Sequence, residues 1–426
     1  MQITLNKYLD SKYLINILIG IIPISFIAGN LIINLNLILI VLVSLVIFNK
    51  RFFDYEFYLI DKLLIILFSF SLLTGVINYL SSDQTNFFIK ENFFKSLLFT
   101  RYILFYFAIR VVVEKKLLNF RFFFTICSSC VIFVCLDLIL QLITGTDIFG
   151  NQSNPLMYKL SGPFGNEYIA GSYLQRFGFF LFFLIPCFVN FKNKNNLIII
   201  LSGFFILVFF SILITGNRMP IILFILMFII LFLYEKKLRK FSLLFIISSS
   251  LLFFATIKFS PQVLSYSQHF FNITFQILTF LKEVFILGND PYITNTYIKE
   301  FYSGYVTWKK NLIIGGGINS FYWNCSEVAG NCASHPHNYY LEILSELGII
   351  GFIILVVIFA NLLMFIGFRN HLSLDFNKNL IYPFALLFFA EIFPFKTTGS
   401  FFTTGNATFI FFIIAIIVSL SKQHSN

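Results

Sequence analysis

Residues 196–234 read NLIIILSGFFILVFFSILITGNRMPIILFILMFIILFLY, and Arg218 is their only charged side chain. Two apolar runs flank the turn Thr215-Gly216-Asn217-Arg218-Met219-Pro220. A bilayer crossing takes about 20 apolar residues as helix. Backbone in hydrocarbon must also satisfy its own hydrogen bonds, so each run reads as a membrane helix and the turn as a tight hairpin. Arg218 then lies at the membrane boundary. It reads either as a snorkelling side chain or as a permanently charged fork suited to phosphate.

The same texture covers the chain. Hydrophobic residues make up 58% of 426 residues and charged residues 12%, with a mean hydropathy of +0.87. A soluble domain carries about 25% charged residues. The fold class is therefore an all-α, polytopic transmembrane helical bundle, with residues 1–426 forming a single integral membrane domain. About twelve spans are expected, near 14–29, 31–48, 58–80, 93–113, 119–143, 168–190, 196–214, 218–234, 241–258, 339–366, 379–395 and 406–421. The first two, parted by Gly29-Asn30, suggest a tight hairpin. No Ala-x-Ala cleavage site follows the short polar start, which reads as a retained anchor.

The net charge is +11. No long basic run with interleaved aromatics is present, so nucleic acid is excluded as a partner. The basic residues instead mark short loops: Lys50/Arg51, Lys115/Lys116/Arg121, Lys192/Lys194, Lys236–Lys240 and Arg369. With an even number of crossings these loops share the cytoplasmic side, and both termini join them. The opposite side receives the long loop 259–338. Structureless loops of that length are rare in compact proteins. Its apolar and aromatic stretches, such as Phe275–Ile286, suggest short helices on the membrane surface.

That loop ends in Cys325-x6-Cys332-x2-His335-x-His337. These are metal-ligand residue types, but the spacing fits no standard zinc pattern. On an oxidising face, Cys325 and Cys332 read as a disulfide candidate. Pro336 suits a helix start, and Asn338, Glu342 and Glu346 share one face of the helix that follows. His337 then reads either as a water-facing side chain on a well-capped helix or as a general base, kept neutral by the positive helix N-terminus. Arg101 and Arg176 fall inside expected spans. Charge against lipid tails is costly, so each is expected to face a protein interior or wet cavity, and a shared outer basic pocket is one possibility.

His337-Asn338-x9-Gly348-x2-Gly351 resembles the motif of bacterial O-antigen ligases, a branch of the O-antigen ligase/polymerase superfamily. Trp308-Lys309-Lys310-x4-Gly315-Gly316-Gly317, Thr215-Gly216-Asn217-Arg218, Ser161–Asn166 and Phe393–Ser400 resemble further segments of that family. The resemblance spans roughly residues 90 to 410. It implies a GT-C-like membrane glycosyltransferase that passes O-antigen glycan from an undecaprenyl diphosphate carrier to lipid A-core of lipopolysaccharide. The site would lie on the periplasmic face of the bacterial inner membrane, with membrane lipids around it. No cofactor or metal is implied.

Carried over, His337 is the catalytic base and Arg218 a diphosphate ligand. Arg176, Arg101, Lys309 and Lys310 are further candidates for the diphosphate, and Asn338, Glu342 and His335 are supporting residues. Tyr305 follows Ser303-Gly304 where many family members have a second basic residue. A polymerase of lipid-linked glycan or a protein O-oligosaccharyltransferase would use the same chemistry. A transporter or flippase fits less well, because the polar groups gather at one face, with Asp137 and Glu391 as exceptions.

Overall fold

A computed structural model describes residues 12–81, 87–152, 159–181, 194–234, 239–259, 296–329, 332–367, 380–397 and 399–422, with isolated positions between 268 and 282. The described residues are mostly helical, with a β-bridge between Thr146 and Gln152. The helices are α1 (12–20), α2 (Ile22–Ala28), α3 (Asn30–Phe48), α4 (Leu59–Ser81), α5 (Phe87–Phe99), α6 (Arg101–Glu114), α7 (Phe120–Thr144) and α8 (Ala170–Phe177). They continue with α9 (Lys194–Ile214), α10 (Arg218–Tyr234), α11 (Arg239–Phe259), α12 (Thr296–Lys310) and α13 (Phe321–Ala329). The last three are α14 (Tyr339–Gly367), α15 (Ile381–Glu391) and α16 (Thr404–Lys422).

Among the described residues, seven stretches are long and apolar enough to cross a membrane: Asn30–Arg51, Leu59–Ser81, Phe87–Glu114, Phe120–Thr144, Arg239–Lys258, Tyr339–Met364 and Thr404–Ser421. Three shorter apolar helices, Leu201–Ile214, Arg218–Leu233 and Ile381–Glu391, join them. The chain is thus a multi-pass helical membrane protein. At its start, Gly29 (φ 99°) reverses the chain between α2 and α3, which pack on each other as the expected hairpin, and Asn36 donates to the Leu18 carbonyl at 3.1 Å.

The C-terminal helix is the centre of the bundle. Of the apolar window in Thr404–Ser421, 89% is buried, against 22% for Arg239–Lys258. Lipid tails are as apolar as a leucine core, so packing rather than water exclusion holds such helices together. Phenylalanine supplies much of that packing. Phe411 meets Phe68, Phe99 and Tyr102, while Phe412 meets Phe105, Phe123 and Phe384. Edge-to-face and offset ring pairs add to the area that they bury.

Arg110 on α6 is fully buried. It pairs with Asp61 of α4 at 3.3 Å and Glu114 at 2.9 Å, and donates to the Glu56 carbonyl at 3.0 Å. Its guanidinium also lies over the rings of Tyr55 and Tyr58. One side chain therefore ties the α3–α4 connection to the bundle.

In the 259–338 segment, α12 and α13 are the short helices that are described. They pack on each other, and α12 packs along α14. Most of Phe275–Ile286 lies outside the described residues.

Candidate active site

The site begins with a break in a helix. Gly348 interrupts α14 with φ 65° and ψ −170°, a conformation open to glycine and costly for any side chain. The break frees backbone groups on both sides, and the loop after α12 takes them up. Gly316 and Gly317 donate to the carbonyls of Ser345 and Glu346 at 3.1 and 2.8 Å, while Ile349 and Ile350 donate to Leu312 and Ile313 at 2.9 and 3.3 Å. A Cβ on Gly315 would run into the Glu346 carbonyl, and one on Gly348 into the Ile313 carbonyl. Two separate glycine motifs of the sequence are thus the two halves of one backbone joint.

The joint lies within the stretch that carries His337. Gly304 on α12 lets that helix approach closely: a Cβ there would lie 3.0 Å from Pro336 and from Leu341. Asn338 caps α14, its Oδ1 accepting from the Tyr340 and Leu341 amides at 3.0 and 3.2 Å. Its Nδ2 donates to the Pro394 carbonyl at 2.7 Å, and the Tyr340 hydroxyl donates to Ile392. The 392–396 loop is thereby clipped beneath the histidine. His337 itself has φ 51°, left-handed for a residue with a side chain. Its Nε2 lies 3.6 Å from Glu300 Oε1, with the imidazole side chain 37% exposed. The ring of His335 stands 4.2 Å away, with its Nδ1 at 2.9 Å from Ser334 Oγ. Burial pushes the Glu300 carboxyl above its ordinary range, with His337 pulling it back.

Glu342 and Glu346 do not face water; each is 2% exposed. Glu342 accepts from the Phe401 amide at 2.6 Å, and Glu346 lies 3.5 Å from the Phe321 amide at the start of α13. The face that they share with Asn338 is therefore a buried one. It turns inward because two loops bring backbone donors to it.

Arg176 lies in a second polar cluster. Its guanidinium is buried and forks onto Glu391 at 2.8 and 3.0 Å, with Asn406 Oδ1 at 2.6 Å. Lys396 Nζ shares Glu391 Oε2 with that fork, at 2.6 Å. Burial, joined by Arg176, pulls the Lys396 ammonium down to about 8, while Glu391 pulls the other way. Arg101 bonds the Tyr102 hydroxyl at 2.7 Å and the Leu98 carbonyl at 3.2 Å. Arg101 and Arg176 thus serve different clusters rather than one shared pocket.

Arg218 opens α10, which packs on α8 and α15, the helices carrying Arg176 and Glu391. The preceding turn is anchored by Asn217 Nδ2 to the Tyr168 carbonyl at 2.9 Å, and a Cβ on Gly171 would lie 2.7 Å from Thr215 Oγ1. Lys309 lies 4.6 Å from the Tyr305 ring centroid, and Lys310 Nζ is 3.4 Å from Asn324 Oδ1. Cys325 and Cys332 are joined as a disulfide with a Cα separation of 6.1 Å, which closes the chain after α13 and removes both thiols as metal ligands. Among the described residues, no group of three or more His, Cys, Asp or Glu is placed to hold a metal ion.

Sequence reasoning did not nominate Glu300 or Lys396. Glu300 had a usable signal, since it stands four residues before Gly304 and so shares its helix face. Lys396 lay in plain view within Phe393–Ser400, but its tie to Arg176 runs through Glu391, across more than two hundred residues.

Residues 203–356 match the family model described as O-antigen ligase. The matched stretch holds the Thr215–Arg218 turn, the Gly315–Gly317 loop, His337 and Gly348. No curated protein matches the chain at a significant level.

Proposed function

We propose that this protein, whose residues 203–356 match the O-antigen ligase family model, transfers O-antigen glycan from undecaprenyl diphosphate to lipid A-core. The reaction takes place at the periplasmic face of the inner membrane. The chain crosses about twelve times in a GT-C-like arrangement, with both termini cytoplasmic. The observation that carries the reading is His337: an imidazole at the solvent edge, held in a left-handed conformation between the capping Asn338 and the carboxylate of Glu300. Strained residues of this kind gather at functional sites.

In the proposed step, the acceptor hydroxyl loses its proton to His337 and its oxygen bonds the anomeric carbon. The bond from that carbon to the diphosphate oxygen breaks on the opposite face, and its electron pair leaves with the diphosphate. Arg218 is the first choice for holding the leaving group, since a guanidinium fork matches phosphate. Lys309, steered by Tyr305, brings a cation next to the position where the family's second basic residue is absent. Lys310 and Arg101 are further sources of positive charge. Arg176 acts through Glu391 and Lys396, because its fork is already engaged.

The test is transfer by purified protein from lipid-linked glycan to lipid A-core, with and without chelator. His337→Ala should lower the rate by about 10²–10⁴-fold while the protein stays folded. A variant with wild-type transfer sinks the assignment of the base. Elongation of the lipid-linked glycan, with none passed to lipid A-core, would instead assign a polymerase.

A further inference from the structure

We propose that Glu300 is a positioning residue for His337, forming with it a carboxylate–imidazole pair that directs which ring nitrogen takes the proton. The inference rests on the reading of His337 as the base. Three observations carry it. Glu300 Oε1 faces Nε2 at 3.6 Å, with the carboxylate 18% and the imidazole 37% exposed, so the anion is the more buried member of the pair and the ring keeps access to solvent. The approach is built into the fold. Gly304, one turn after Glu300 on the same helix face, is packed against Pro336 and Leu341, which brackets His337. The histidine cannot readily turn away, because its backbone is held in a left-handed state between a buried proline and an asparagine bonded in two directions. The His335 ring covers a further side.

The chemistry follows from these contacts. With Nε2–H directed at the carboxylate, Nδ1 carries the lone pair and becomes the atom that accepts the acceptor hydroxyl's proton. The hydroxyl O–H breaks, the proton joins Nδ1, and the oxygen bonds the anomeric carbon as the diphosphate departs with its electron pair. Glu300 stays ionised throughout and stabilises the imidazolium, which later releases its proton to water. A separation of 3.6 Å is longer than a hydrogen bond. The pair therefore acts as an ion pair that strengthens when the ring becomes charged, and catalytic contacts of this type commonly tighten only when substrate is bound.

The experiment uses full-length protein in detergent, with lipid-linked glycan and lipid A-core as substrates, and compares wild type, Glu300→Gln, Glu300→Asp and His337→Ala. Glu300→Gln should lower kcat about 10–100-fold with both KM values within about two-fold. It should also move the acidic limb of the kcat/KM profile to lower pH, because the imidazolium loses its counter-charge. Among the described residues, Glu300 from α12 and His335 from its own loop are titratable groups in contact with His337, so the shift must persist in a His335→Asn background. Glu300→Asp, which keeps the charge at a greater distance, should recover part of kcat. Wild-type kcat and an unmoved limb in Glu300→Gln, with His337→Ala inactive, overturn the role of Glu300 and leave the base in place. Wild-type transfer by His337→Ala overturns both. If Glu300→Gln does not purify as a monodisperse species, Glu300→Asp decides: full kcat with the wild-type limb overturns the proposal.

Discussion

Single residues in this protein do work that their chemical type alone does not announce. Gly348 and Gly315 meet across the joint, and neither has room for a methyl group without moving a backbone carbonyl. Gly348→Ala adds a left-handed penalty to that collision. We expect it to cost about 1–3 kcal/mol and to lower transfer by loosening the histidine loop, as read by thermal unfolding in detergent and by the transfer assay. Gly315→Ala should act on the same joint, so the double variant should lose less than the two singles added together. Lys396 gives a dependence on pH. Its folded value near 8 lies below the ordinary lysine value, so between about pH 8 and 10.5 the unfolded chain binds more protons than the folded one. The cost of burying the charge is fully present below that window and is relieved as pH rises through it. Measured as melting temperature, wild type should therefore gain on Lys396→Met from pH 8 to 10.5. A melting-temperature difference, wild type minus variant, that stays level or falls over this range would contradict the buried, partly relieved ammonium.

Elements were legible in the sequence where hydropathy alone decides them. The run from Tyr339 to Met364 reads as a span, and the structure has a helix there that is long and apolar enough to cross a membrane. Its break at Gly348 was not legible, because the partner that fills the break is a loop some thirty residues upstream. The inward turn of Glu342 and Glu346 was hidden for the same reason: helical spacing shows that they share a face but not what that face meets. Arg110 makes the same point. The sequence reading did not single it out, and its buried partner Asp61 stands on a different helix. Removing one member of a buried pair leaves the other uncompensated, so Arg110→Met should destabilise the protein by about 3–5 kcal/mol. The double variant with Asp61→Asn should recover part of that loss in the same unfolding measurement. Additive losses would show that Asp61 and Arg110 are not coupled.

At the scale of the whole molecule, the charge bias of the loops sets an expected orientation, with the α3–α4 connection on the cytoplasmic side and α12 on the other. In intact spheroplasts, a cysteine at Lys310 should react with a membrane-impermeant maleimide, and one at Lys50 only after permeabilisation. The reverse pattern would invert the proposed topology and with it the periplasmic site. The sequence alone was enough to establish a helical membrane protein, to place several of its long apolar helices, and to choose which histidine motif to test, because hydropathy and local motifs are carried by neighbours along the chain. Only the tertiary structure decided that Arg176 is spent on Glu391, that the two glycine motifs are one joint, and that Glu300 stands beside His337. Those pairings are made between helices far apart in sequence, and a buried charge or an interrupted backbone takes whichever partner packing brings within reach.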